Sequence, residues 1–129
     1  MPGLYGRVHF NWTIDYFEAD GNSEWLLPNR LYEGGSFDVV PMALRRTETG
    51  RWLAKRKLGV RFSDPESELE TFLETLSAAD YHVLKRACSQ AARSLFVATQ
   101  DDCDNLAMAL GRAAGVCAQP FPDAMYATA

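Results

Sequence analysis

Between residues 7 and 17 apolar and polar positions alternate. Val8, Phe10, Trp12, Ile14 and Tyr16 fall on one side, Arg7, His9, Asn11, Thr13 and Asp15 on the other. A period of two with aromatic and β-branched residues on one face predicts a half-buried strand. Asp20, Gly21, Asn22 and Ser23 supply turn chemistry that ends it. Residues 24–32 show no clear period, and Pro28 interrupts any regular element there. Gly34 and Gly35 mark a further turn. Residues 37–46 predict a second strand, with Pro41 favouring a sheet edge or a bulge. Thr47, Glu48, Thr49 and Gly50 then read as a hairpin turn. Residues 51–62 read as the returning strand, best marked where Leu58, Val60 and Phe62 alternate with Lys57, Gly59 and Arg61.

From Ser63 onward the period changes. Asp64 suits a helix cap and Pro65 the first helical position. Leu69, Phe72, Leu73 and Leu76 follow at helical spacing. Ser77 and Asp80 form a near match to a capping box and open a second helix whose apolar side is Tyr81, Leu84, Cys88, Ala91, Ala92 and Leu95. Asp101 or Asp102 is placed to cap a third helix bearing Cys103, Leu106, Leu110 and Ala113, with Gly115 placed to stop it. Residues 119–129, with Pro120 and Pro122, read as an extended tail.

Strands thus come first and helices afterwards. This order predicts an α+β fold: an N-terminal antiparallel β-sheet of about three to four strands packed against two to three C-terminal helices. Residues 1–118 are expected to form a single domain and 119–129 a Pro-containing tail. The same order argues against alternating βαβ units, and so against a dinucleotide or P-loop fold. No Gly-rich phosphate loop contradicts that reading.

Composition adds bounds. A chain of 129 residues, 47% hydrophobic, suits one domain able to fill its own core. Its three cysteines, Cys88, Cys103 and Cys117, match no disulfide or zinc spacing, and are expected to be buried thiols in a reducing compartment. No basic stretch followed by an apolar one opens the chain, and its apolar runs, such as Leu95 through Ala98 and Leu106 through Leu110, are far too short to span a bilayer. A cytoplasmic protein without membrane contact is therefore expected.

The net charge of −4 argues against wholesale binding to polyanions, but it hides a segregation. Residues 45–61 carry seven bases, Arg45, Arg46, Arg51, Lys55, Arg56, Lys57 and Arg61, opposed by Glu48 alone. Residues 64–80 carry six acids and no base. Lys and Arg on an edge strand discourage aggregation. Trp52 within the basic segment also gives it the composition of an interface hot spot. Glu66, Glu70 and Glu74 recur every four residues along one solvated helical stripe.

No constellation here specifies catalysis. His9, with Arg7 and Asp15 on the polar face of the first strand, could do acid–base work only if that face lined a cleft. His82, in a first helical turn, reads as a surface residue. Asp101, Asp102 and Asp104 are explained by capping and the helix dipole, and the spacing of a calcium loop is absent. No metal or cofactor is expected.

The residues therefore point to a small intracellular protein that works by binding a macromolecule, as an adaptor, inhibitor or immunity-type protein. The contact residues would be Arg45, Arg46, Arg51, Trp52, Lys55, Arg56 and Lys57, or the acidic face of Glu66, Glu70 and Glu74. A protein partner fits best. Nucleic-acid binding through residues 45–61 is one alternative, and a small enzyme or ligand carrier with a pocket near His9 is another.

Overall fold

The computed structural model of the chain describes residues 2–16 and 22–113. The turn residues Asp20 and Gly21, together with Gly115, Cys117 and the tail 119–129, lie outside the described residues. Met1–Phe96 forms one compact unit, and Val97–Ala129 a second. The first unit runs α1 (Pro2–Tyr5), β1 (Phe10–Trp12), α2 (Asn22–Trp25), α3 (Asn29–Ser36), β2 (Val40–Leu44), α4 (Glu48–Arg56), β3 (Val60–Phe62), α5 (Pro65–Thr75) and α6 (Ala78–Gln90), and ends in a 3₁₀ turn at Arg93–Leu95. In the second unit α7 (Gln100–Ala113) is described.

Helices and a small sheet are both present, but the sheet is parallel, not antiparallel, and helices also precede and separate its strands. The order is β1-β2-β3. Phe10 pairs with Val40 and Trp12 with Met42, while Met42 pairs in turn with Val60 and Leu44 with Phe62. The antiparallel expectation fails at both connections. Gly34 and Gly35 lie in α3 rather than in a turn, and α2 and α3 separate the parallel β1 and β2. Thr47, Glu48, Thr49 and Gly50 do not form a hairpin turn; they are the cap and first turn of α4.

Two hydrogen bonds set that junction. The Thr47 hydroxyl accepts from the Gly50 backbone N–H at 3.2 Å and donates to the Leu44 carbonyl at 2.9 Å. Gly50 is glycine for want of space rather than for a turn, because a Cβ there would lie 2.0 Å from the Leu44 carbonyl oxygen. Thr49, Gly50 and Leu53 bury the inner face of α4. Lys57, left-handed at φ 57°, ends the helix. Gly59, at φ 64° and close against Pro41, then turns the chain into β3. A helix thus separates two parallel neighbours, as a crossover requires. The exclusion of βαβ units is overturned with it.

Strand β1 is shorter than its alternating pattern suggests, and its polar face is not solvated. Asn11 and Thr13 are buried, while Trp12 and Tyr16 are exposed. Parallel sheets are covered on both faces, so the polar side chains of β1 must find partners. The Asn11 amide donates to the Arg30 carbonyl of α3, and the Thr13 hydroxyl donates to the Met42 carbonyl at 2.6 Å. Among the described residues no buried side-chain polar atom lacks a partner.

Pro41 does not mark an edge: it lies in the central strand. Pro41 lies opposite Asn11 in the β1 ladder, flanked by bonds from the Val40 N–H to His9 and from the Thr13 N–H to Met42. Pairing with β3 begins only at Met42, so the missing donor of Pro41 costs that ladder no bond.

The sheet is a three-layer arrangement. On one face Ile14, Met42, Leu44 and Phe62 form a core with Phe10, Val60, Leu69 and Phe72, which brings α5 onto that side. Phe72 makes edge contacts with Phe10 and Phe62. On the other face Gly34 of α3 presses on the Asn11 side chain. Phe96 lies against Gly35 of α3 and 5.9 Å from the Trp52 ring of α4, so α3 and α4 share that face. Helix α6 crosses the amino edge of the sheet. Tyr81 meets His9 before β1, Lys85 donates to the Asp38 carbonyl before β2, and Cys88 bonds the Gly59 backbone before β3.

The expected caps of α5 and α6 are present. The Asp64 carboxylate accepts from the Glu66 N–H, Pro65 fills the first turn, and the Ser77 hydroxyl accepts from the Asp80 N–H. Helix α7 differs from expectation by a few residues. Thr99 caps it by accepting from the Asp102 N–H, and the Asp102 carboxylate accepts from the Thr99 N–H and hydroxyl. These bonds hold the Asp102 carboxyl below its ordinary range, the Thr99 backbone bond first among them.

Candidate functional site at the carboxyl edge of the sheet

In open parallel sheets ligands bind beyond the carboxyl ends of the strands, where loops lead into helix N-termini. Here α6 covers the amino edge, so the carboxyl edge is the side left for such a site. β2 delivers Arg45, Arg46 and Thr47 to that edge, and β3 delivers Ser63 and Asp64. The Arg45 N–H donates to the Phe62 carbonyl at 2.8 Å, which extends the ladder one residue and leaves the Arg45 side chain exposed. Arg46 reaches α2, with its Nε 3.6 Å from Glu24 Oε1.

Thr47 is buried by its two bonds, so the strand-to-helix turn is held where these guanidinium groups leave it. After β3, Glu68 accepts from the Ser63 and Asp64 N–H groups, and Asp64 is spent on capping. Among the described residues the cationic groups of this edge are thus the exposed Arg45 and the Glu24-paired Arg46. They stand in the loop that opens α4, whose first amide groups and dipole favour negative charge.

Arg51 and Lys55 are exposed on α4, and Lys57 is exposed at its end. Arg51 pairs with Glu48 at 3.2 Å. Trp52 and Arg56 are half-buried and pack on each other. The Arg56 guanidinium stacks 4.1 Å over the Trp52 ring, which in turn packs on Phe96. Glu66, Glu70 and Glu74 are exposed on α5, across the sheet from α4. The basic and acidic sets are thus two surfaces rather than one site.

His9 is exposed at the amino edge, its ring 5.1 Å from that of Tyr81. Asp15 lies past the opposite end of β1, so the strand does not bring the two together. His82 is exposed beside Tyr81, as expected. Among the described residues no three His, Cys, Asp or Glu side chains gather as metal ligands.

Two residues of the edge escaped the sequence reading. Thr47 carried a usable signal, since Thr after an apolar strand and before a Glu-containing turn is a helix cap. Glu24 carried none, because its pairing with Arg46 spans α3 and β2.

Burial pushes the Cys88 thiol and the Tyr81 hydroxyl above their ordinary pKa ranges. The Tyr5 hydroxyl is raised first by its hydrogen bond to Glu33.

No family model matches the sequence, and no solved structure matches it. Over 107 residues the chain is 39% identical to the succinoglycan biosynthesis protein ExoL of Rhizobium meliloti (strain 1021). The matched region is 82% of this chain and 27% of the relative, so the chain spans about a quarter of the relative's length. This likeness overturns the expectation of a cytoplasmic protein, which rested on the unpaired cysteines and the lack of a leader-like or membrane-length apolar stretch. Among the described residues no helix is long and apolar enough to cross a membrane.

Proposed function

We propose that the chain serves polysaccharide biosynthesis of the succinoglycan kind, by holding the phosphate groups of a nucleotide-activated sugar at the carboxyl edge of its parallel sheet. The observation that carries this reading is the placement of Arg45 and Arg46 in the loop between β2 and the N-terminus of α4. The named role of the relative supports it.

A sugar is activated for transfer by a diphosphate ester, and the reacting bond lies between the sugar and that diphosphate. A guanidinium matches a phosphate with two parallel N–H bonds and keeps its charge at any working pH. Glu24 would hold Arg46 in place for that contact. As the sugar–oxygen bond breaks, negative charge grows on the departing phosphate, and preplaced cations stabilise that charge more than they stabilise the bound donor. The residues named here account for binding and charge stabilisation. They supply no general base.

Calorimetric titration of the chain with uridine diphosphate glucose tests the reading. Saturable binding is expected, weakened at least about tenfold by Arg46→Ala, since a charge-assisted hydrogen bond contributes about 1.5–3 kcal/mol. Binding untouched by that substitution would place the donor elsewhere.

A second reading, docking of a macromolecule, rests on the exposed cations Arg45, Arg51, Lys55 and Lys57. Nuclease-treated pull-down would favour it by recovering a stoichiometric protein complex that Arg51→Ala and Lys55→Ala together disrupt. A protein or nucleic-acid partner remains part of that reading.

A further inference from the structure

A cleft of about 340 Å³ lies between α1 and the end of α3, lined by Leu4, Tyr5, Glu33, Ser36 and Phe37. Its size falls within the usual range of small-molecule sites. The Tyr5 and Phe37 rings stack in parallel at 5.4 Å with 8° between their planes, so they partly cover each other and present a stepped aromatic wall. Phe37 is 39% exposed and Leu4 60% exposed, which is apolar surface left in contact with water. At the rim the Tyr5 hydroxyl donates to Glu33 Oε2 at 2.7 Å. A carboxylate offers about four acceptor positions, of which Tyr5 takes one. The Ser36 hydroxyl donates to the Glu33 carbonyl, and its oxygen can still accept.

We infer that this cleft is a second site of the chain, and that it takes a neutral hexopyranose ring. A pyranose presents a flat C–H face and a rim of hydroxyl groups. Here the aromatic wall meets the face, and the Glu33 carboxylate with the Ser36 hydroxyl meets the rim. Among the described residues the lining holds no cation, but Arg30, one turn before Glu33, is close enough to act on the Tyr5 hydroxyl, so the cleft is set apart from the Arg46 edge by its aromatic wall and the Glu33 carboxylate rather than by net charge.

Phe37 precedes β2 and Tyr5 precedes β1, so the cleft belongs to the amino side of the sheet, away from Arg45 and Arg46. A sugar bound here is held clear of the donor site. The cleft therefore anchors a saccharide chain rather than presenting the reacting hydroxyl. The choice of a saccharide as occupant rests on the proposed role in polysaccharide biosynthesis.

The test is an NMR titration of the whole chain with methyl β-D-glucopyranoside and with cellotetraose. Saturable shifts are expected at Leu4, Tyr5, Glu33, Ser36 and Phe37 with at least the tetrasaccharide. Phe37→Ala and Glu33→Gln change exposed side chains and should leave the fold intact, while each weakens binding by about tenfold, the scale of one buried ring or one charged hydrogen bond. Tyr5→Phe keeps the aromatic wall and should leave binding in place. Arg46→Ala should leave it unchanged.

Absence of saturable shifts with both sugars would overturn the inference, as would shifts that survive both Phe37→Ala and Glu33→Gln. If uridine diphosphate glucose binds through Arg46 and the sugars do not bind, the cleft assignment alone falls. If the sugars bind and the nucleotide does not, the donor reading alone falls.

Discussion

At the scale of single residues, the chain's glycines and buried polar groups carry most of the structural information. Gly50 is a helical glycine, and Gly to Ala inside a helix ordinarily stabilises by about 0.5–1 kcal/mol. Here the added methyl would meet the Leu44 carbonyl at 2.0 Å, a backbone atom that cannot swing aside. Gly50→Ala is therefore expected to destabilise the protein by about 1–3 kcal/mol, the range for overpacking, read as a lower urea midpoint with an unchanged slope.

Cys88 gives a second outcome at this scale. Its thiol is raised by burial, so the folded state holds its proton more tightly than the unfolded state does. The contribution is complete below the ordinary thiol range and is lost as pH rises from about 8.5 toward the raised folded value. Stability against urea should fall across that alkaline window, and Cys88→Ala should flatten the fall whatever it does to stability at neutral pH. Burial of the Cys88 thiol was legible from its apolar neighbours. Burial of Asn11 and Thr13 was not, because polar residues on an alternating strand look solvated until both faces of the sheet are known to be covered.

At the scale of elements, the helical second half was legible, and the junctions of the first half were not. Asp64 with Pro65 and Ser77 with Asp80 are local signals, and each capped its helix where the spacing put it. The segment from Glu48 to Arg56 does carry a helical period: it buries Thr49, Gly50 and Leu53, exposes Arg51 and Lys55, and is more strongly amphipathic than α5 or α6. The turn-like run Thr47, Glu48, Thr49 and Gly50 masked it. The choice between hairpin and crossover is made by Thr47, whose hydroxyl ties the end of β2 to the start of α4. Thr47→Ala removes that cap and its bond to Leu44, and a loss of about 1–2 kcal/mol is expected in chemical denaturation, with the helical circular-dichroism signal of the folded state retained.

For the whole molecule, strand direction decides what the charged residues can do. An antiparallel hairpin would have spread Arg45, Arg46, Arg51 and Lys55 along one ribbon. The parallel arrangement instead divides them: Arg45 and Arg46 stand at the carboxyl edge, Arg51 and Lys55 face solvent on α4, and Arg56 folds back over Trp52. The segregation of basic from acidic residues was legible from the sequence, but its geometry was not, since α4 and α5 lie on opposite faces of the sheet. The amino edge is taken by α6 through Tyr81, Lys85 and Cys88, and the carboxyl edge is left to Arg45, Arg46 and the N-terminus of α4.

The central claim is that this edge receives the phosphates of an activated sugar. Backbone NMR mapping of the chain titrated with uridine diphosphate glucose tests it most directly. The account predicts saturable shifts centred on residues 44–50, with Glu24 responding through its pairing with Arg46, and their loss in Arg46→Ala. Shifts centred on the amino edge around His9, Asp38 and Gly59, or a full response in Arg46→Ala, would contradict it.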